Sequence, residues 1–420
     1  MVVNVRSSID LQNEINVIVS ELKYISDIEG DKFHKLVELN NSLFDNTKNV
    51  SYLIEICRLE KKMYATQTAI SRNAAKKAFL AKPIEKTLFF YLSSFIANLN
   101  PDKAIDIIND AFKNIKDENL RAIKDLYIGS LAGVKGDYLS YNRLISQAKS
   151  SYLPGLYWQM NSVVTDFNCG INEEFFLNSK NKIILDDIED FNYIMSISCD
   201  QNYFDLYAEY FLKSIFKNTL NPLVHIYIVN SKNKNDIKAK IKDWLGVKSH
   251  FVLINFFECP SNLDFRPISA VLRLLVVNDL LEKYKKPVFF GEIDAVILND
   301  LNDLVVETIS NNASQLVRVI GSYLPWQRFT CGLGLYLYNN SSLQASMLLS
   351  RYIKGIFNNS EKHWWADQCA LEASIRFSIL LDYKYSYFSP NFSLINKYII
   401  TPTGADLHEK KIAILKRYIN

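Results

Sequence analysis

The stretch Lys286-Pro287-Val288-Phe289-Phe290-Gly291-Glu292-Ile293-Asp294 decides how this chain is read. A proline opens a short apolar run, the pattern of a buried strand. At Gly291 the run stops, and two carboxylates follow at positions i and i+2. Extended backbone sends alternate side chains to opposite faces, so Glu292 and Asp294 point the same way and converge on one ligand. In an open α/β sheet, ligands gather outside the carboxyl ends of the strands. Two hard oxygen ligands there suit a divalent cation holding a diphosphate.

Working outward, the runs Tyr193 to Ser198, Val224 to Val229 and Phe251 to Ile254 are also β-prone. Helical patterns separate them. Tyr207, Phe211, Ile215 and Phe216 form one apolar side, Lys232 to Leu245 is a lysine-rich helix, and Ser269 to Tyr284 is a third helix. Strand-helix alternation of this kind predicts a mainly parallel sheet with helices on both faces. The α/β domain is expected over residues 185–420.

Residues 1–180 have a different texture, poor in proline and glycine and striped at helical spacing. Leu88, Tyr91, Leu92 and Phe95 form one stripe, and Leu120, Ile123, Tyr127 and Leu131 another. Helix restarts at Pro101-Asp102 and Gly136-Asp137 lie 35 positions apart. That spacing resembles the ~34-residue period of tetratricopeptide units, each a helix pair. An all-helical, tetratricopeptide-like domain over 1–180 is the expectation, packing on the second domain or carrying a protein partner.

At 420 residues the chain is long for one core, which agrees with two domains. A net charge of +3 leaves no basic footprint for nucleic acid. The six cysteines are scattered, so neither a zinc site nor a disulfide framework is expected. The first residues lack a signal peptide's form, and no apolar run has membrane-spanning length. A cytoplasmic protein is expected, with the inner membrane face as one place of work. The sequence has no Gly-x-Gly-x-x-Gly, no Walker-type loop and no Gly-x-Ser-x-Gly elbow.

Five short motifs follow one another instead. Asp200-Gln201-Asn202-Tyr203 closes the first strand, and Arg273 interrupts the apolar Ser269-Ala270-Val271-Leu272-Arg273-Leu274. Glu292-Ile293-Asp294 comes third, Thr330-Cys331-Gly332 fourth and Asp367-Gln368 fifth. In this order they resemble the glycosyltransferases of the GT-A fold, most closely family 8, over roughly residues 190–415. The resemblance implies a nucleotide-diphospho-sugar transferase with a Rossmann-like mixed sheet, acting on a uridine diphosphate (UDP) sugar.

The resemblance also implies roles. Asp200 and Tyr203 hold the nucleotide base, the carboxylate accepting from the uracil N–H and the ring stacking on its face. Arg273 contacts the donor phosphate or the metal-binding carboxylates. Glu292 and Asp294 bind Mn2+ or Mg2+, with Glu292 standing where the family has Asp. Thr330 and Gly332 approach the sugar, Thr330 in place of the family's Asn. Asp367 and Gln368 touch sugar hydroxyls and the reaction centre, and Asp367 is also a possible base in an inverting variant. A late His completes the metal site and a nearby Lys binds phosphate, which gives His408 as third ligand and Lys411 as phosphate contact.

Plain structural readings stand beside these: a helix cap for Asp200, an ion pair for Arg273, a glycine bulge for Gly332. The expected reaction is metal-assisted, retaining sugar transfer to a glycan, glycolipid or protein acceptor. The rival from another class is an inactive GT-A domain serving, with the helical repeats, as a protein-binding scaffold.

Overall fold

The apolar stripes before residue 150 fold as helices in the computed structural model, which describes residues 7–20, 30–64, 68–96, 99–113, 115–151, 156–168, 183–320, 322–357, 362–402 and 408–419. Contacts divide the chain into one unit of residues 1–135 and 139–155 and another of residues 136–138 and 156–420. Every described element of the first unit is a helix: α1 (Ser8–Ser20), α2 (Gly30–Thr47), α3 (Ser51–Tyr64), α4 (Ala69–Ala81), α5 (Glu85–Ile96), α6 (Pro101–Phe112), α7 (Glu118–Lys135) and α8 (Tyr138–Ser150). From α1 to α7 each packs mainly on its neighbours in sequence.

Both expected restarts are helix boundaries with a visible cause. The Asn100 side chain accepts from the Asp102 N–H at 2.8 Å, and Pro101 takes the first helical position, where its missing N–H costs nothing. Gly136 sits at φ +83° just past α7, the left-handed conformation that ends helices and favours glycine. Leu88, Leu92, Ile108, Ile123 and Ile145 are fully buried between the helices.

The expected boundary at 180–185 lies too far along the chain. The short helix α9 (Tyr157–Ser162) belongs to the second unit, where the Trp158 carbonyl and Ser162 hydroxyl both accept from the Trp364 N–H at 3.2 Å. Nothing in the composition of Tyr157 to Ser162 announces that change. Residues 169–182, which include the expected change of texture near Asn181, lie outside the described residues.

The second unit continues with β1 (Tyr193–Asp200), α10 (Gln201–Asn218), β2 (Pro222–Val229), α11 (Lys234–Leu245), β3 (Val252–Phe257), α12 (Phe265–Leu275), α13 (Val277–Tyr284), β4 (Val288–Gly291) and β5 (Val296–Ile297). Then come α14 (Asn302–Ser310), β6 (Gln315–Val319), α15 (Pro325–Arg328), β7 (Phe329–Tyr336), α16 (Asn340–Ile356) and α17 (Ala366–Leu380). The last elements are β8 (Tyr387–Phe388), α18 (Phe392–Tyr398), β9 (Ile399–Ile400) and α19 (His408–Ile419).

The order across the main sheet is β3-β2-β1-β4-β7-β6-β8. The first four strands are parallel, β7 runs antiparallel to both β4 and β6, and β8 is parallel to β6. The α/β class with a mixed sheet is thus as expected. Central β2 is buried throughout, whereas edge strand β3 alternates buried and half-buried positions.

The expected Ser269 to Tyr284 helix starts earlier, where the Asp264 side chain caps it, and breaks at Val276 into α12 and α13. Two serines of β1 fix α12 to the sheet. Ser196 donates to the Arg273 carbonyl at 2.9 Å, and Ser198 donates to the Ser269 carbonyl. The carboxyl ends of parallel β1 and β4 therefore open on the same side as Arg273.

Candidate active site

Asp200 is the last residue of β1 and caps α10, accepting from the Tyr203 N–H at 2.8 Å. The structural role foreseen for it is real, and it leaves the carboxylate lining a cleft. Tyr203 is half-buried one turn into the helix, its ring 5.2 Å from Tyr207. Burial raises the Tyr203 phenol's pKa, and the Asp294 charge adds to the rise. The hydroxyl therefore stays a neutral hydrogen-bond donor at physiological pH.

Arg273 is 5% exposed, an expensive place for a guanidinium without a partner. It donates to Asp367 Oδ2 at 3.0 Å, so α12 and the first turn of α17 meet through a buried ion pair. Its Nε is buried without a hydrogen-bond partner among the described residues. Asp367 Oδ1 accepts from the Gln368 N–H at 2.9 Å. Just ahead of α17, Trp365 is left-handed at φ 60°, and exposed Trp364 reaches the cleft wall.

One cleft of ≈ 450 Å³ collects Asp200, Tyr203, Arg273, Glu292, Asp294 and Trp364. A second, of ≈ 500 Å³, is lined by Glu292, Thr330, Gly332, Asp367 and Gln368, joined by Arg318. Glu292 thus opens into both. Burial pushes its carboxyl above the usual carboxylate range; Arg273 opposes that, Asp294 and Asp367 add to it, and Lys411 opposes it. A Cβ built on Gly332 would meet nothing closer than Glu292 Oε2 at 3.8 Å. Its lack of a side chain leaves space in the second cleft and is not forced by packing. Cys331 beside it is a buried thiol whose pKa burial raises.

Of the residues expected at a metal site, Glu292 and Asp294 line the first cleft together. Asp294 is buried and its Oδ2 accepts from the Lys411 ammonium of α19. His408 Nδ1 shares a hydrogen bond with the Tyr207 hydroxyl, and its ring lies edge-on to Tyr203. Among the described residues no three His, Cys, Asp or Glu side chains are grouped to hold a metal ion. His408 thus meets Tyr207 through Nδ1, and Asp294 is held by Lys411. Part of that motif, residues 403–407, lies outside the described residues. Among the other histidines, His225 is a core residue, bonded to Asn255 at 3.0 Å with its pKa pushed down to about 3 by burial.

The residues missed in the sequence belong to the second cleft. Arg318 sits where the β6–β7 register shifts between Val317 and Val319. An irregularity of that kind re-aims a side chain. Its guanidinium lies 4.4 Å from the Phe392 ring centroid, and burial lowers its pKa below the ordinary arginine value. Phe392, Asn396 and Thr401 complete the wall.

No family model and no curated protein matches the sequence. Among solved structures, the chain is similar to the WbbM bifunctional glycosyltransferase, with 16% identity, 57% of this chain and 52% of that one covered, and a TM-score of 0.38. It is also similar to the glycosyltransferase GlyE of Streptococcus pneumoniae TIGR4, at 14% identity, 48% and 46% coverage and a TM-score of 0.29. Mouse xyloside xylosyltransferase 1 follows at 12% identity, 49% and 86% coverage and a TM-score of 0.30. The chain spans about half the length of the first two. Likenesses this loose assign no activity.

Proposed function

We propose that the second unit is a GT-A glycosyltransferase, most like family 8, which moves a sugar from a UDP-sugar to a glycan, glycolipid or protein acceptor. The observation that carries this reading is Glu292. It opens at once into a cleft with Asp200, Tyr203, Arg273 and Asp294 and into a second with Gly332, Asp367 and Gln368. Two adjoining clefts with one carboxylate between them suit a donor, an acceptor and the bond that passes from one to the other.

In this reading the uracil stacks on Tyr203 and donates its N–H to Asp200. The diphosphate lies toward Arg273 and Lys411, cations that meet the charge developing on the leaving group. The sugar lies over Gly332, where no side chain intrudes. The bond between the anomeric carbon and the diphosphate oxygen breaks, and the acceptor hydroxyl oxygen takes its place. Glycosyl transfer builds positive charge at the anomeric carbon, which ionised Glu292 stabilises. Asp367 is committed to Arg273 and is poorly placed to act as a base, which favours retention over inversion. The acceptor proton then leaves with the departing phosphate. The helical unit, tetratricopeptide-like in this reading, serves a protein partner.

The test is turnover of a panel of nucleotide sugars by the full chain. At least one UDP-sugar is expected to be cleaved, with Glu292→Gln lowering kcat by about 100-fold or more, the usual cost of losing one electrostatic stabiliser. Wild-type turnover should fall as pH drops through the raised Glu292 range, because the protonated form cannot stabilise a cation. No turnover and no nucleotide binding would leave the scaffold reading in its place.

A further inference from the structure

We propose that Arg318 binds an anionic group of the acceptor, so that the acceptor is an acidic saccharide with a carboxylate or a phosphate near the hydroxyl that receives the sugar. The inference rests on the glycosyltransferase reading and names the acceptor's chemical class.

Arg318 is a sheltered cation without an anion. Its guanidinium lies 4.4 Å from the Phe392 ring centroid, and among the described residues no carboxylate pairs with it and no oxygen accepts from its N–H groups. Burial alone shifts its pKa, and downward, so no neighbouring negative charge offsets the cost of shelter. By contrast, Arg273 has Asp367, Lys411 has Asp294, and Arg376 and Arg328 share Glu372. The carboxylates of the second cleft are engaged with other cations. Asp367 belongs to Arg273, and the charges acting most on Glu292 are those of Arg273, Asp294, Asp367 and Lys411. A ligand that meets Glu292 in one part of the cleft can therefore meet an uncommitted cation in another.

The surroundings hold that cation in place. Val317 pairs with Gly334 and Val319 with Phe329, so Arg318 sits opposite residues 330–333 of β7, which line the same cleft. The Val319 N–H donates to Ser389 Oγ at 2.9 Å and fixes the chain just past the irregularity. With the guanidinium over the Phe392 ring, its edge of N–H donors is left for a ligand, a planar fork that matches carboxylate or phosphate oxygens. Asn396 and Thr401 in the same wall add neutral donors and acceptors, and the exposed Phe392 ring adds an apolar surface. That mixture suits the hydroxyls and C–H faces of a sugar.

The experiment measures UDP release by the full chain from a mixture of UDP-glucose, UDP-galactose and UDP-N-acetylglucosamine. Acceptors are offered in matched sets: methyl glucoside, galactoside and mannoside, each as the neutral sugar, the uronic acid and the 6-phosphate. At least one charged acceptor is expected to raise UDP release above hydrolysis, with kcat/KM about tenfold or more above that of its neutral counterpart. The uronic acid and phosphate arms show which anion is used. In Arg318→Met that ratio falls to about one, through KM and not kcat, whereas Arg318→Lys keeps the charge, loses the fork and retains part of the preference. The ratio is internal to each variant, so a general loss of folded protein does not move it. Three results overturn the inference and leave the donor reading: neutral acceptors used as well as charged ones, a ratio unchanged in Arg318→Met, or UDP-sugar hydrolysis that no charged acceptor accelerates. No hydrolysis and no UDP binding overturns both.

Discussion

The two clefts that share Glu292 are built in different ways. The first takes its polar residues from the carboxyl ends of β1 and β4, the first turn of α10 and the last turn of α12. The second draws on a bulge in β6, the middle of β7, the first turn of α17 and the late helix α18. One is written wholly in the short motifs. The other adds Arg318 and Phe392, which no motif names. By the same logic, the first should govern nucleotide affinity and the second what the sugar and acceptor experience.

Strand β7 offers the sharpest way to break that comparison, because two of its glycines answer to different demands. A Cβ at Gly334 would lie 2.1 to 2.7 Å from three atoms of the Phe290 ring on the paired strand. Gly334→Ala is expected to lower stability by about 2 kcal/mol, the usual scale of forced overpacking, in urea denaturation. Gly332→Ala meets no protein atom closer than 3.8 Å and should stay within about 0.5 kcal/mol of wild type. It should nonetheless lower turnover by about tenfold, by crowding a ligand in the second cleft. Equal losses of stability in the two variants would remove the distinction.

A smaller effect separates the clefts directly. Tyr203→Ala deletes the proposed stacking face and should weaken UDP by about tenfold, within the range for a base on an aromatic ring. Phe392→Ala, across Glu292 in the second cleft, should leave UDP affinity within about twofold and change only the response to acceptor. Isothermal titration of both variants checks the pair. A loss of UDP affinity in Phe392→Ala as large as in Tyr203→Ala would mean the clefts act as one.

Much of the first cleft was legible in the sequence. Asp200, Tyr203, Glu292 and Asp294 sit at or just past strand ends, Arg273 stands out as the one charge on an apolar helix face, and all five line it. The parts that misled depend on partners that spacing does not reveal. Which side chain takes Asp294 is settled by how α19 docks, and Lys411 reaches it while His408 goes to Tyr207. Arg318 was hidden because a bulge changes the facing of a strand residue without leaving a sequence mark. The serines of β1 read as ordinary strand residues, yet Ser196 and Ser198 hold α12, and with it Arg273, against the sheet. The domain boundary was misplaced because α9 belongs to the α/β unit and looks like one more polar helix.

The central claim is that the cleft beside β1 and β4 holds a nucleoside diphosphate, and a crystal structure of the full chain grown with UDP tests it most directly. The account predicts uracil against the Tyr203 ring with its imide N–H on Asp200, and the diphosphate within hydrogen-bond distance of Lys411. Uridine bound elsewhere on the chain, or a diphosphate in this cleft turned away from Lys411 and Arg273, would contradict it.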